Sequence, residues 1–272
     1  MKDLLFDVKD GIATITLNRP DARNAFSMQM IELWIQALQE VRDQNDIRVL
    51  ILTGNGKSFC AGGDIKAMKS GNGFLDLSGY EEEDFSSSSL QRKNSLWKHV
   101  QRIPLLMEEI DKPTIAAVNG DAIGAGLDMA LQCDLRISSD QARFGEGYVK
   151  VGIVPGDGGG YYLPRIIGID KALDLLWSGR IIDASEASTI GLITRMVSHE
   201  ELMLETEALA RRFANGPQQA IRLIKRTVYQ GLKTDLRTSL DMVSSFMGIV
   251  TEHPDYKEGL NAIVEKRKPD FE

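Results

Sequence analysis

The sequence predicts an α/β fold built on a parallel sheet, and three observations lead to that prediction. Two continuous apolar runs, residues 48–53 and 113–118, are typical of strands that are buried on both faces. A third run, residues 12–17, alternates apolar and polar residues with the period of a half-buried strand. Helical spacing follows the first strand, and strands that alternate with helices form α/β sheets.

The elements of the first half are defined by their caps and turns. Ser27 is the predicted N-cap of a helix whose apolar residues recur at positions 31, 34, 38 and 41. The two buried strands end at glycine-containing turns, residues 54–56 and 119–120. Residues 69–95 combine glycines, serines and an acidic cluster. They are predicted to form either a mobile surface segment beside a site or a disordered insertion.

The second half becomes helical after residue 198, and we predict a core domain at 1–198 followed by a helical region at 199–272. The segment Asn215-Gly216-Pro217 is a helix stop signal. An apolar stripe with helical period follows. It consists of Leu236, Leu240, Val243, Met247 and Val250. The stripe predicts packing, either onto the main domain or onto another subunit.

Composition excludes several classes of protein. The 272 residues are 43% hydrophobic and contain no apolar run near the ~20 residues that span a bilayer. A net charge of −7 argues against nucleic acid or an anionic membrane as the main partner. Two cysteines are too few for a disulfide scaffold, and the N-terminal residues do not resemble a signal peptide. We therefore expect a cytoplasmic protein.

Two glycine-rich loops follow the two buried strands and are the most informative feature. They cover residues 58–66 and 119–128, and the second opens a helix that is predicted to end near Gln132. Small residues let the backbone approach a ligand closely, and N–H groups from two loops can stabilise negative charge on one carbonyl oxygen. The spacing alone equally fits two tight strand-to-helix turns.

Other chemistries find little support in the residues. The glycines of residues 120–126 do not have the dinucleotide spacing, there is no Gly-Lys-Ser/Thr phosphate loop, and the phosphate-cradle-like residues 156–160 lack an acidic ribose-binding partner. The three histidines are too far apart in sequence to predict a metal site. There is no nucleophile elbow of the serine hydrolases. Cys60 is either a reactive thiol or a small buried filler, and we favour the filler.

Five segments together resemble the crotonase (enoyl-CoA hydratase/isomerase) superfamily. They are residues 17–27, 59–65, 112–134, 154–159 and 258–271, in the family's order and over almost the whole chain. The resemblance implies a spiral of ββα units, a C-terminal helical region used in trimerisation, and hexamers built as dimers of trimers. It also implies an acyl-coenzyme A thioester as substrate, with no separate cofactor and no metal.

The resemblance also assigns the substrate-binding residues. The thioester carbonyl would lie between the backbone N–H groups of Gly63 and Ala125, which form an oxyanion hole. The residues that line the thioester and coenzyme A would be Ala61, Gly63, Asp64, Ile65, Lys66 and Ala125.

The acid/base positions depart from the family pattern. Hydratases of the family use two glutamates, and these positions hold Asp128 and Tyr148 here. A phenol with a pKa near ~10 is a poor general base, so we predict Asp128 as the acid/base group and Tyr148 as a hydrogen-bonding or packing residue. Glu146 either substitutes for the second glutamate or is a solvated or structural residue.

The predicted function is that of an acyl-CoA-processing lyase, an enoyl-CoA hydratase that adds water through an oxyanion-stabilised enolate. Three alternatives remain open at this point. They are an enoyl-CoA delta-isomerase that uses one carboxylate, an acyl-CoA hydrolase or decarboxylase, and a noncatalytic acyl-CoA-binding protein.

Overall fold

The computed structural model describes residues 2–70 and 88–271. In these ranges the strands are β1 (Leu4–Lys9), β2 (Ile12–Leu17), β3 (Val49–Gly54), β4 (Ser58–Cys60), β5 (Thr114–Val118), β6 (Asp121–Ile123), β7 (Leu135–Ser139), β8 (Arg143–Gly145), β9 (Ile181–Asp183) and β10 (Arg195–Val197). The helices of the first part are α1 (Met28–Asp43), α2 (Ile65–Lys69), α3 (Ser88–Lys98), α4 (Arg102–Glu109), α5 (Ala125–Leu131) and α6 (Gly159–Ile167). Those of the second part are α7 (Ile169–Ser178), α8 (Ala184–Thr189), α9 (Leu202–Ala214), α10 (Gln218–Gly231), α11 (Leu236–Glu252) and α12 (Pro254–Glu265).

Two sheets form the core, and the larger contains the strands that the sequence predicts. Its order is β1-β2-β3-β5-β7-β10, with β1 antiparallel to β2 and the remaining pairs parallel. The smaller sheet has the order β4-β6-β8-β9. Strands β4 and β6 lie inside the two glycine-rich segments, where we expected only loops. Three residues are too few to show a hydrophobic period, which explains why the pattern misses them.

Helices cover both faces of the larger sheet. On one face, α1 buries its predicted apolar side, including Trp34 and Leu38, and the Ser27 hydroxyl caps it by accepting the Met30 N–H at 3.1 Å. On the other face, α9 buries Leu202 and Ala210 against β3, β5 and β7. The first helix of the predicted C-terminal region therefore packs on the core sheet, and the boundary at 198/199 stays a prediction.

The predicted mobile segment at 69–95 lies only partly within the described residues. Residues 71–87 are outside them, whereas residues 88–98 form helix α3. The C-terminal part of the segment is thus helical, so it is not a disordered insertion. In the described ranges, no helix is both long and apolar enough to cross a bilayer.

The apolar stripe of α11 lies on the surface of the single chain. Leu236, Leu240 and Met247 are each more than half exposed, and α11 has no buried residue. Packing onto the main domain, one of the two predicted roles of the stripe, is therefore wrong. The stripe is left as an apolar face of an exposed helix.

Candidate active site

The topology brings the two glycine-rich segments together. Strands β4 and β6 are parallel neighbours, so the chain leaves both at the same edge of the small sheet. Gly62 has a φ of +80°, and a Cβ added there would lie 2.8 Å from the Ile123 carbonyl oxygen and 3.1 Å from the Ala125 nitrogen. The backbone preceding one predicted oxyanion donor, Gly63, therefore touches the segment that carries the other.

Helix α5 begins at the second predicted donor. Ala125 is its first residue and follows Gly124, which has a φ of +54°. The N–H groups of a first helical turn have no intrahelical acceptor, so that of Ala125 remains for another partner. At Gly126, an added Cβ would lie 2.0 Å from the Cys60 carbonyl oxygen, so only glycine permits this approach of α5 to β4.

The predicted coenzyme A-lining residues lie around the start of α2. Ala61 and Gly63 are half-buried, whereas Ile65 and Lys66 are exposed. Asp64 caps α2, since its Oδ1 accepts the Ala67 N–H at 3.1 Å. That hydrogen bond and the neighbouring Arg19 lower the pKa of Asp64. Asp64 thus has a structural role, and Ile65 and Lys66 are its solvent-facing neighbours.

Cys60 is a buried filler, as predicted. Its side chain is inaccessible, and its thiol donates a hydrogen bond to the Asn24 carbonyl oxygen at 3.0 Å. Burial raises the pKa of this thiol to about 12. A thiol that stays protonated is not a nucleophile, so a reactive-thiol role is excluded.

The three predicted acid/base residues meet in one cluster, which also contains Asp157. Asp128 lies on α5, Glu146 follows β8, Tyr148 lies in the 3₁₀ helix Gly147–Val151, and Asp157 precedes α6. The three carboxyl groups are at most 2% exposed, and Tyr148 is half-buried. The Tyr148 hydroxyl lies 2.6 Å from Asp128 Oδ2 and 3.0 Å from Asp157 Oδ2.

We call the carboxyl groups of Asp128, Glu146 and Asp157, together with the Tyr148 hydroxyl, the carboxyl cluster. Burial is the largest cause of the pKa shifts of its members. It raises the pKa of Asp128 to about 6, against the lowering effect of the Tyr148 hydroxyl and the Gly159 amide. Burial and the nearby Asp128 raise the pKa of Asp157 to about 7. The same two causes raise the pKa of Glu146 well above its usual value, and that of Tyr148 above 10.

The surroundings of Glu146 exclude one of its predicted roles. It is fully buried, so a solvated glutamate is wrong. Neither of its carboxyl oxygens has a hydrogen-bond donor within reach in the described part of the chain, and its pKa is raised by the carboxyl groups of Asp128, in contact with it, and of Asp157. Two buried carboxyl groups in contact share a proton, and the raised pKa of Glu146 makes it the protonated member.

Asp128 is less accessible than the sequence suggests. Its position one turn after Ala125 predicts a side chain that faces the substrate, yet none of it is exposed. Tyr148 is the half-buried member of the cluster, and its ring lies 3.9 Å from the position of a Cβ at Gly124, beside the start of the oxyanion segment. Tyr148 therefore stands between Asp128 and the surface of the site.

The tight contact between Gly159 and Asp128 gives a first prediction. A Cβ at Gly159 would lie 2.3 Å from Asp128 Oδ1, so Gly159→Ala must displace the carboxylate. We expect a loss of turnover of roughly 100-fold, because small misplacements of catalytic groups have effects of that size. Steady-state assays of the purified variant measure it.

The neighbouring glycine provides the matched control. A Cβ at Gly160 meets nothing within 4 Å in the described structure, so Gly160→Ala should leave turnover unchanged. The free energy of unfolding of Gly160→Ala should rise by roughly 0.5–1 kcal/mol, since alanine is favoured over glycine within a helix. Equal activity of the two variants would contradict the placement of Asp128 against Gly159.

Known proteins are similar to this chain over almost its whole length. The sequence model of the family described as "Enoyl-CoA hydratase/isomerase" matches residues 7–272. A crotonyl-CoA hydratase of Syntrophomonas wolfei is 35% identical over 271 residues, which are 99% of this chain and 98% of that protein. A 1,2-epoxyphenylacetyl-CoA isomerase of Escherichia coli is 34% identical over 100% of this chain and 98% of its own length. The crystal structure of an enoyl-CoA hydratase from Bacillus anthracis superposes with a TM-score of 0.87 at 32% identity, covering 99% of this chain and 98% of that one.

Proposed function

We propose a reaction for this chain from the premise that it belongs to the enoyl-CoA hydratase/isomerase family. It has the crotonase fold, and its function is enoyl-CoA hydratase-like, on acyl-CoA thioesters. The reaction that we propose is the reversible addition of water across the double bond of a 2-enoyl-CoA. Coenzyme A is part of the substrate, so the proposal needs no separate cofactor, and it places the enzyme in the cytoplasm.

The single observation that supports this chemistry is the buried Asp128 behind the Tyr148 hydroxyl, one helical turn from Ala125. In the proposed step the N–H groups of Gly63 and Ala125 donate hydrogen bonds to the thioester oxygen, which takes the negative charge of the enolate. Water bonds to C3 as the double-bond electrons move toward that oxygen. Tyr148 passes its own proton to Asp128 and takes up the proton of the water in the same step, so Asp128 is the net base and Tyr148 only relays the proton.

The second half of the reaction returns that proton. Asp128 gives it back to Tyr148, and Tyr148 delivers its proton to C2 of the enolate, which completes the 3-hydroxyacyl-CoA. Addition from a single group places both parts of the water on the same face of the substrate. Asp128 is suited to this cycle because its pKa, about 6, lies near the working pH.

A delta-isomerase is the second candidate, and one observation favours it. Tyr148 and Asp128 form one hydrogen-bonded pair, and moving a double bond requires a single proton carrier. An isomerase would move the proton of a 3-enoyl-CoA from C2 to C4 through the same pair, Tyr148 and Asp128, without adding water.

Crotonyl-CoA and a 3-enoyl-CoA distinguish the two candidates. We expect loss of the conjugated enoyl absorbance with crotonyl-CoA and a product heavier by one water in mass spectrometry. Formation of that absorbance from the 3-enoyl-CoA without water addition would favour the isomerase. Release of free thiol would indicate a hydrolase, loss of carbon dioxide from a carboxylated acyl-CoA a decarboxylase, and binding without turnover a noncatalytic protein.

We also propose that the chain assembles as a homotrimer or a hexamer. The exposed stripe of α11 supports this proposal, because a contiguous apolar face on a protein surface is commonly covered by another subunit. Light scattering is expected to give a mass three or six times that of one 30.1 kDa chain. A mass near that of one chain would contradict the proposal.

A pair of substitutions on α11 tests the contribution of the stripe. Met247 is 55% exposed on the stripe, whereas Ser245 is exposed on the opposite side of the helix, since two residues correspond to about 200°. Met247→Glu should lower the mass measured by light scattering, because it places a charge in the proposed interface. Ser245→Glu should leave the mass unchanged.

A further inference from the structure

We propose that Asp157 is a positioning residue of the acid/base site, whose protonated carboxyl group donates a hydrogen bond to the Tyr148 oxygen and directs the phenol proton toward Asp128. Neither the family pattern nor the predicted site residues assign it a role. The proton arrangement follows from the geometry of the carboxyl cluster, while its kinetic consequences rest on the proposed function.

The single proton of the Tyr148 hydroxyl limits the hydrogen bonds that it can donate. The Tyr148 hydroxyl has carboxyl oxygens at 2.6 Å and 3.0 Å, but a phenol carries one proton and can donate only one of these hydrogen bonds. In the other hydrogen bond, Tyr148 must be the acceptor. One of the two aspartates is therefore protonated when both hydrogen bonds exist.

The two distances indicate which aspartate carries the proton. A separation of 2.6 Å is typical of an O–H group that donates to an ionised carboxylate, and 3.0 Å is the length of a weaker, neutral hydrogen bond. Tyr148 thus donates to Asp128 and accepts from Asp157. Burial raises the pKa of both aspartates, and the charge of Asp128 raises that of Asp157 further, which favours Asp157 as the protonated one.

Charge gives an independent reason for the same arrangement. The groups that face Asp157 are Asp128 on α5, Tyr148 in the 3₁₀ helix, the Cys60 thiol of β4 and Glu146, which also faces Asp128. Among the described residues, no lysine or arginine contributes to the pKa shifts of the carboxyl cluster. A second buried negative charge without a cation is strongly unfavourable, so one ionised carboxylate, Asp128, is the stable state.

The arrangement has a direct consequence for the proposed reaction. While Tyr148 takes a proton from water and gives its own to Asp128, partial negative charge develops on the phenol oxygen. The Asp157 O–H group already points at this oxygen and stabilises the charge through the hydrogen bond. Asp157 neither gains nor loses a proton in this step, which is why its role is to position and not to transfer.

Two substitutions at Asp157 separate the hydrogen bond from the charge. Asp157→Ala removes the donor, and we expect turnover to fall roughly 10- to 100-fold, the value of a hydrogen bond to a charged group. Asparagine has nearly the same shape as aspartic acid, and its side-chain N–H group can donate to the Tyr148 oxygen, so Asp157→Asn should retain most of the activity. In a Tyr148→Phe background, Asp157→Ala should cause no further loss, because its effect acts through the phenol.

The pH profile supplies a readout that a purely structural role would not change. The wild-type turnover should decline as the pH rises through about 7, where Asp157 loses the donated proton. Asp157→Asn does not titrate, so this decline should be absent from its profile. A wild-type decline that persists unchanged in Asp157→Asn overturns the proposal, as does an additive loss for Asp157→Ala in the Tyr148→Phe background.

Infrared spectroscopy tests the proton arrangement without any substrate. At pH 6 the wild type should show a carbonyl band of a protonated carboxyl group that is missing in Asp157→Asn, and absence of this difference overturns the proposal. Where Asp157→Ala does not fold, the infrared band and the profile of Asp157→Asn still decide. If the wild type turns over none of the tested acyl-CoA thioesters, the proposed function fails, while the infrared result stands independently.

Discussion

Replacing Asp128 by asparagine is expected to lower the turnover of a 2-enoyl-CoA by ~10²–10⁴-fold, the usual contribution of general acid–base catalysis. Asparagine has nearly the same shape and can still accept the hydrogen bond of Tyr148, but it cannot take up a proton. The loss should appear in kcat, because Asp128 is fully buried behind Tyr148 and acts in the proposed step through the Tyr148 hydroxyl. Steady-state kinetics with crotonyl-CoA measure it.

The wild-type pH profile provides a second observation on the same residue. The proposed cycle requires an ionised Asp128, and burial raises the pKa of this carboxyl group to about 6. Turnover of the wild type should therefore fall as the pH is lowered through about 6. The apparent value belongs to the whole carboxyl cluster, since its members titrate together.

Substitutions at the two neighbours of Asp128 are the controls. The hydrogen-bonding or packing role predicted for Tyr148 would give Tyr148→Phe a small effect, but the structure places Tyr148 between Asp128 and the surface, so we expect a loss in the same range as for Asp128→Asn. Glu146→Gln keeps a donor for Asp128 and should lose less than tenfold. Wild-type turnover in Asp128→Asn together with an inactive Glu146→Gln would place the catalytic role on Glu146.

Unfolding by urea shows whether an inactive Asp128→Asn is folded. The direction in which its free energy of unfolding differs from that of the wild type can also be predicted. The pKa of Asp128 is raised in the folded state from 3.8 to about 6. A raised carboxyl pKa contributes stability that is complete below pH 3.8 and is lost as the pH rises through about 6. At pH 8, Asp128→Asn should therefore have a higher free energy of unfolding by urea than the wild type, while at pH 4 this advantage should be smaller.

The parts of the fold that the sequence predicts are those with a long hydrophobic pattern. Strands β3 and β5 are continuous apolar runs and helix α1 has a complete amphipathic period, so each was located within one or two residues. The second sheet was missed because its strands contain three residues each and are formed by long-range pairing. Their pairing is what brings the two glycine-rich segments together.

The candidate site is likewise only partly predictable from the sequence. The resemblance to the family gives the positions of Asp128 and Tyr148, because they follow recognisable motifs. It gives no information on which side chain covers which, so the inaccessibility of Asp128 came only from the structure. Asp157 lies in a glycine motif, residues 156–160, whose sequence does not indicate an acid/base role, and its contact with Tyr148 joins residues of two separate loops.

Proline in place of Gly63 is expected to lower turnover by ~10²–10³-fold, the effect of removing one donor of an oxyanion hole. Proline has no N–H group, so the thioester oxygen would keep only the hydrogen bond of Ala125.

Gly63 is half-buried at the point where Gly62 contacts the start of α5, which makes the control essential. Gly63→Ala retains the N–H and reports the effect of a side chain alone, so it should keep more activity than Gly63→Pro by at least tenfold. The comparison is made on kcat/KM with crotonyl-CoA, after circular dichroism has established that both variants are folded. A folded Gly63→Pro enzyme with the turnover of Gly63→Ala would show that the negative charge of the enolate is stabilised elsewhere.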